Sequence, residues 1–339
     1  MGSTHRVTGR VGGWSTYNIP SIPSLVRRGI FRSPFSAILR RTVLVTLLMV
    51  SILPGTAGAQ DLPGYKPILW EYLETICAFG PRPPGSHGHR MLQAYIKAVG
   101  GKYADEVREQ PFTFQKGNNP PVSMMNIELV FHGASRKRPI LLGTHYDTRP
   151  FADSETDPYS WKFPILGAND GGSGTAVLLA LAQYLHAHPP VRPVRLVFFD
   201  GEDYGVKFSS DYFLGSKHYA AQLNKKDRGE WPYCVLIIDM VGDKELEIAR
   251  ETYSHENASW LLKMIVESAQ KLKVTQFLTQ PKHTVQDDHL PFIEIGVPAA
   301  LLIDFDYPYW HTLQDTLDKC SPESLFAVFS VVVDAMKKI

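Results

Sequence analysis

The stretch Val194–Gly205, VRLVFFDGEDYG, runs largely apolar as far as Phe199 and then sets three acids within four residues: Asp200, Glu202 and Asp203. An almost unbroken apolar run of this length fits a strand buried on both faces of a parallel sheet. Carboxylates crowded at the end of such a strand need compensation, either from water in an ordinary loop or from a cation held at the strand end.

The flanking sequence decides between these. On the amino-terminal side, YKPILWEYLETICAFG and GHRMLQAYIKAVG space their apolar residues at three and four, which predicts two helices. SMMNIELVFHG and PILLGTHYD read as strands joined by a short basic turn at Arg136–Arg138, and GGSGTAVLLALAQYLHAH reads as a helix opened by glycines and a serine. Downstream come YCVLIIDMVG (strand), NASWLLKMIVESAQKL (helix), GVPAALLIDFD (strand) and a closing helix from about Ser321. Apolar strands alternating with amphipathic helices predict an α/β fold in three layers, with a central, mostly parallel mixed sheet covered on both faces.

In such sheets ligands bind beyond the carboxyl ends of the strands. Those ends carry His145 and Asp147 (THYD), Glu202 and Asp203 (GED), Asp239 (IIDM), and Trp310 with His311 (YWH), while Asp170 stands in the loop LGANDGGSG before a helix. One strand-end aspartate by itself is most often a cap or turn former, and one histidine a satisfied core residue. Four such events on successive strands are better explained by convergence on a cation. Imidazole and carboxylate without thiolate suits zinc kept open for catalysis. The two adjacent acids Glu202 and Asp203 leave the strand in different directions, so one can bind metal while the other carries a proton.

With 339 residues, 44% hydrophobic and 20% charged, the chain can bury a substantial core. Residues 1–41 hold seven arginines and no acid, so without them the net charge of +1 becomes −6, and nucleic-acid binding has no support in the body. After Arg41 the uncharged run TVLVTLLMVSIL precedes PGTAGAQD. A positive flank, a short apolar core and small residues at Ala57 and Ala59 read as a secretory signal cleaved after Ala59, short of the roughly 20 apolar residues that a bilayer span needs. Residues 1–59 are thus expected to be a basic extension with a signal peptide, the alternative being an uncleaved anchor, and 60–339 a single catalytic domain, secreted or periplasmic and monomeric. Without an anchor, no stable membrane association is expected. Cys77, Cys234 and Cys320 are widely spaced and form no metal motif, so they are expected to be buried small hydrophobes.

The ordered set FGPRPPGSHGHR, THYDTRP, LGANDGGSG, FFDGEDYG, LGSKHYA, IIDMVG, QDDHLPFIEIGVP and YWHTLQDT resembles the zinc-dependent aminopeptidase-like hydrolases and, within them, the glutaminyl-peptide cyclotransferases, over nearly all of the chain after Asp61. The resemblance implies zinc on Asp170, Asp203 and His311, with Glu202 as general acid/base. His145 and Asp239 match the other two ligands of two-metal aminopeptidases; in cyclases, which work with one zinc, the aspartate instead joins a hydrogen-bond network with the glutamate. Asp287 of QDDHLPF, with Asp288 beside it, matches the third acid of that network. Paired acids in QDDHLPF and tryptophan before the ligand histidine are similar to the cyclase pattern. Trp310, Phe208 and Gln286 would then line a small pocket for a glutamine side chain. Animal cyclases carry glutamate where Asp203 stands, so the shorter arm here alters the expected metal geometry. The implied activity is conversion of glutaminyl N-termini of peptides or proteins to pyroglutamate with loss of ammonia. The alternatives are an aminopeptidase with two zinc ions and a non-catalytic binding ectodomain of the same fold.

Overall fold

The architecture comes from a computed structural model that describes residues 62–339 apart from Phe208; the basic extension, the apolar run and the Ala59 junction lie outside the described residues. Two helices, α1 (Tyr65–Ala78) and α2 (His87–Tyr103), precede the sheet, the second capped by Ser86, whose side chain accepts the His89 N–H. The strands are β1 (Glu106–Phe114), β2 (Val122–Phe131), β3 (Ile140–His145), β4 (Val194–Phe199), β5 (Cys234–Asp239), a short β6 (Ile248–Arg250), β7 (Phe277–Pro281) and β8 (Ala299–Ile303). Between and after them lie α3 (Gly172–Ala187), α4 (Leu214–Leu223), α5 (Thr252–Leu272), α6 (Leu290–Glu294) and α7 (Pro322–Met336).

Six strands form one sheet in the order β1-β2-β4-β3-β5-β8, while β6 and β7 pair separately. The four strands β4, β3, β5 and β8 are parallel, and β1 and β2 extend them antiparallel. Strand alternation sorts the buried side chains into two cores. Leu142, Leu196, Phe198, Leu236, Ile238 and Leu302 face α1, α2, α3, α5 and α7. Leu141, Val197, Phe199, Ile237 and Leu301 face the other way, toward Tyr219 and Leu223 of α4 and Phe292 of α6. This is the three-layer arrangement expected from the sequence.

Three strands escaped the sequence reading: β1 and the separately paired β6 and β7. β1 alternates between half-buried and exposed positions, contains Pro111 and occupies the sheet edge, where a missing N–H is tolerated and no long apolar run is required. The two strands read as joined by a short basic turn, β2 and β3, are not neighbours in the sheet, because β4 sits between them. All three cysteines are free, Cys234 and Cys320 buried and Cys77 half-buried. Among the described residues no helix is long and apolar enough to cross a membrane.

From the central β3 the chain passes through α3 to β4 on one side, and from β4 through α4 back to β5 on the other, which opens a crevice at the carboxyl ends. Register levels those ends: His145 pairs with Phe199, and Asp239 with Ile303.

Candidate active site

Two backbone clamps build the rim. The Asp147 carboxylate, following β3, accepts the N–H groups of Glu202 (3.1 Å) and Asp203 (3.2 Å), which fixes the loop after β4. The Asp315 carboxylate accepts the N–H groups of Asn169 (2.8 Å) and Asp170 (3.1 Å) and the Tyr307 hydroxyl (2.8 Å), which fixes the loop before α3. Tight turns then aim the side chains. Gly171 has φ +77°, and a Cβ there would lie 2.5 Å from the Asp147 carbonyl oxygen, so only glycine fits directly after Asp170.

The side chains so positioned form two overlapping groups. Asp170, Asp203 and His311 present donor atoms within 4.8 Å of one another, and so do His145, Asp170 and Asp239. His311 Nε2 lies 3.2 Å from Asp203 Oδ1 and 3.6 Å from Asp170 Oδ2; His145 Nε2 lies 3.2 Å from Asp170 Oδ1 and 3.1 Å from Asp239 Oδ1. Asp170 is therefore common to both. Asp147, which with His145 is expected from the sequence to serve either a second metal or the hydrogen-bond network, belongs to neither group: besides its two backbone bonds it stands 3.6 Å from His145 Nδ1.

The electrostatics are dominated by burial and by the mutual repulsion of neighbouring carboxylates. Burial, then the neighbouring Asp203, raises the Asp170 carboxyl to about 7. Burial and Asp203 likewise push Glu202 well above the usual carboxyl range, and burial with Asp239 does the same to Asp287. Burial opposes charge on His311 and on Asp203 too, but each overrides it for the other: His311 rises to about 9, while His311 and Arg149 hold Asp203 low. Asp170 Oδ2 and Asp203 Oδ2 are buried without a hydrogen-bond partner. Orphaned carboxylate oxygens beside imidazole nitrogens, with no thiol, fit a divalent cation of the zinc type. Asp170, Asp203 and His311 would hold it, and His145 with Asp239 would complete a second position around Asp170.

A cavity of about 250 Å³ opens onto this cluster, lined among others by Glu202, Asp239, Gln286, Asp287, Phe305 and Trp310. Phe208, anticipated on this wall, lies outside the described residues. Asp288 is buried with Ser216 beside it and does not line the cavity, which separates the two acids of QDDHLPF. Three of the four described non-glycine residues with positive φ, Phe213, Met240 and His311, also line it. Backbone strain of this kind persists where the surroundings over-determine a functional geometry.

Arg149 and Asp153 were not singled out from the sequence. Arg149 is buried and donates to both oxygens of Asp153 (2.7 and 2.5 Å), to the Tyr212 hydroxyl (2.9 Å) and to the Gly205 carbonyl (3.0 Å), with Asp203 Oδ1 at 3.4 Å. Asp153 Oδ1 in turn stands 3.4 Å from His311 Nδ1, an anion on the far side of the ring from Asp203 and Asp170. The i, i+4 spacing of Arg149 and Asp153 within THYDTRPFAD was the available signal, but it is an ordinary ion-pair spacing until His311 is brought alongside.

Fold and site together describe an α/β protein with a buried carboxylate–imidazole cluster that could hold a metal ion, and a buried glutamate beside it. The chain belongs to peptidase family M28, whose model matches residues 126–336. It is 30% identical to aminopeptidase YwaD of Bacillus subtilis over 59% of the chain, spanning 41% of that protein's length. It is 28% identical to a glutaminyl-peptide cyclotransferase-like protein of Mus musculus over 72% of the chain and 68% of the relative. Among solved structures, a glutaminyl cyclase of Bacteroides thetaiotaomicron superposes with a TM-score of 0.75 at 27% identity, over 81% of this chain and 98% of the other. A leucine aminopeptidase precursor from the same organism gives 0.76 at 28% identity, over 81% and 97%. The relatives thus divide between cyclases and aminopeptidases within one superfamily of enzymes.

Proposed function

We propose that the protein is a glutaminyl-peptide cyclotransferase that closes N-terminal glutaminyl residues to pyroglutamate and releases ammonia, with Glu202 as general acid/base. The observation that carries this reading is Asp287: a third buried carboxyl, facing Glu202 and Asp239 across the same small cavity, with its proton held by burial and by Asp239. Hydrolysis by a metal-activated water uses the ligands and one acid/base and has no need of this extra acid. A chain of carboxyls that passes protons suits a reaction in which one proton leaves an amine and another must reach departing ammonia.

When bound at Asp170, Asp203 and His311, zinc supplies Lewis-acid polarisation of the glutamine γ-carbonyl. Glu202 accepts a proton from the substrate α-amine, whose nitrogen attacks the γ-carbon. The γ-carbon–nitrogen bond then breaks, and Glu202 returns the proton to the leaving ammonia. Asp239 and Asp287 orient Glu202 and keep the acid cluster partly protonated, while Trp310 and Phe305 wall the side chain away from water. The amine is tethered to its target, so orientation supplies much of the acceleration.

A two-zinc aminopeptidase is the second reading, favoured by the group His145, Asp170 and Asp239. Gln-initiated and Leu-initiated fluorogenic dipeptide analogues, given to zinc-replete protein with ammonia, lactam and free amino acid measured separately, decide between them. Lactam and ammonia in equal amounts are expected; free leucine without lactam would overturn the cyclase reading, and silence on both would favour a binding module. We also take the chain to be exported and cut after Ala59, which makes Gln60 its own substrate. Intact mass of the secreted protein tests this through the loss of one ammonia.

A further inference from the structure

The loops that lead into the parallel strands lie at the end of the sheet opposite the cavity: residues 132–139 before β3, 188–193 before β4 and 224–233 before β5. Together they hold seven lysines and arginines against two acids, Asp227 and Glu230, a net +5 in a chain that carries −6 after residue 41. Hydrogen bonds join them into one face. Ala134 and Ser135 N–H donate to the Pro190 and Val191 carbonyl oxygens (3.2 and 2.8 Å), Arg192 Nη1 to that of Arg138 (2.9 Å), Arg138 Nε to that of Trp231 (3.1 Å), and Tyr233 N–H to that of Pro139 (2.7 Å). Arg136, Lys137, Arg138, Lys225, Lys226 and Arg228 are exposed. Among the described residues, one carboxylate pairs with these six: Glu230, at 3.9 Å from Lys226. Exposed Val191 and Tyr233 stand among them, with the Arg192 guanidinium 4.4 Å from the Tyr233 ring centre. On the flank toward β1, Asp105 accepts the His132 N–H (2.6 Å), and Glu106 is engaged by Arg108 (2.8 and 2.6 Å). Basic residues at a helix end complement its exposed carbonyls, which accounts for Lys225 and Lys226 beyond α4. Arg136, Lys137 and Arg138 sit between two strands and have no helix end to serve.

We infer that this end of the sheet is a docking face for a bilayer containing anionic phospholipid, and that the protein works with this face on lipid and its cavity turned toward solution. The contact is electrostatic and reversible, and it is independent of the reaction the cavity carries out. Charge complementarity points to the partner: on a molecule of net negative charge, an anionic surface attracts this end and repels the remainder, which sets the orientation as well as the contact. The exposed valine and tyrosine favour lipid over a soluble polyanion. A tyrosine beside cations suits the polar–apolar boundary of a bilayer, whereas a polyanionic chain gives Val191 no apolar partner. The described chain also begins on this side: the Tyr65 ring lies 5.8 Å from that of Tyr184, which stacks on His188 at 4.4 Å. The sequence just before it supplies seven arginines and the apolar run TVLVTLLMVSIL. From this face the six residues of β3 run about 20 Å to the crevice, so docking leaves the cavity mouth open to peptides.

The test mixes the full chain with phosphatidylcholine vesicles, with and without phosphatidylglycerol, and reads the bound fraction by sedimentation at low and high salt. Binding is expected to require phosphatidylglycerol and to be released by salt. R136Q/K137Q/R228Q, which removes three charges from the face, is expected to lower the apparent affinity by about a hundredfold. K244Q/K282Q/K319Q, which removes three charges from loops at the carboxyl end, is expected to leave it within about twofold. Melting temperatures near wild type show that both variants are folded. The arginines ahead of residue 42 carry charge of their own, so hydrogen exchange locates the contact: anionic vesicles are expected to protect the amides of 132–139 and 224–233 and to leave those of 150–163 unchanged. Absence of protection in the first two segments, or an affinity that R136Q/K137Q/R228Q leaves unchanged, would overturn the inference. Equal binding to phosphatidylcholine alone would overturn it too, since no charge would then be involved. A sulfated polysaccharide that binds wild type but not R136Q/K137Q/R228Q, with no vesicle binding by either, would assign the face to a soluble polyanion and reject lipid.

Discussion

Asp200 and Asp203 stand three residues apart in the same loop and are both buried, yet they live in opposite chemical worlds. Asp200 is saturated: His89 Nε2 lies 2.8 Å from Oδ1, and Oδ2 accepts the Met125 N–H (2.7 Å) and the Tyr146 hydroxyl (2.7 Å). Asp203 has Oδ2 without a partner and Asp170, equally orphaned at Oδ2, close by. The first carboxylate stitches α2 and β2 to the end of β4. The second is left open toward its neighbours. A buried charge that the protein fully satisfies serves the structure, and one that it leaves unsatisfied beside others on a cavity is a candidate binding site. Glu251 sits on the structural side: it accepts N–H bonds from Tyr253, Ser254 and Val285 and the Ser254 hydroxyl, with His289 at 3.2 Å.

The contrast breaks most sharply at Glu202. Glu202→Gln is expected to lower kcat by about 10²–10⁴, while zinc content by mass spectrometry and the melting temperature stay near wild type; retained turnover would remove its assigned role. Asp200→Ala should do the reverse. Unpairing His89 and Tyr146 in the interior is expected to cost about 3–5 kcal/mol of stability, read as a fall in the urea midpoint, with zinc still bound by the protein that remains folded.

Metal addition sharpens the comparison by a smaller amount. Zinc at a hundred times its dissociation constant should stabilise the wild type by about 2.7 kcal/mol. Asp170→Asn should abolish that gain in a thermal scan; an undiminished gain would place the ion elsewhere.

A pH dependence at Glu251, felt only in acid, tests the structural side of the contrast. Burial alone would raise this carboxyl, but His289 and the N–H groups of Ser254 and Tyr253 outweigh it and bring it to about 2. Because the folded value lies below the unfolded one of about 4.3, its contribution is complete above that pH and disappears as pH falls toward 2. Wild type should therefore lose its advantage over Glu251→Gln across that window in acid unfolding curves, and parallel curves would show that the bonds contribute nothing.

Legibility from sequence followed periodicity. The parallel strands were readable because burial on both faces forces apolar runs, and α3 was readable because glycines and a serine open its apolar stretch. β1 was not, since an edge strand needs no such run and tolerates Pro111. At the site, residues at strand ends were found one by one through the rule that crevices open there. Arg149, Asp153 and Asp315 were missed because their work consists of contacts with residues distant in sequence: Asp153 with His311, Asp315 with the N–H groups of Asn169 and Asp170.

By itself, then, the sequence determined the alternation of buried strands and covering helices, and it named the acids and histidines available at one end, because local patterning and chemical type are properties of the chain alone. Only the tertiary structure decided that Asp170 is shared by two donor groups, that Asp200 is occupied elsewhere, that Asp147 clamps a loop and that Asp287 rather than Asp288 faces the cavity. Those distinctions depend on which residues, distant in sequence, are brought side by side, and that is settled only when the whole chain is packed.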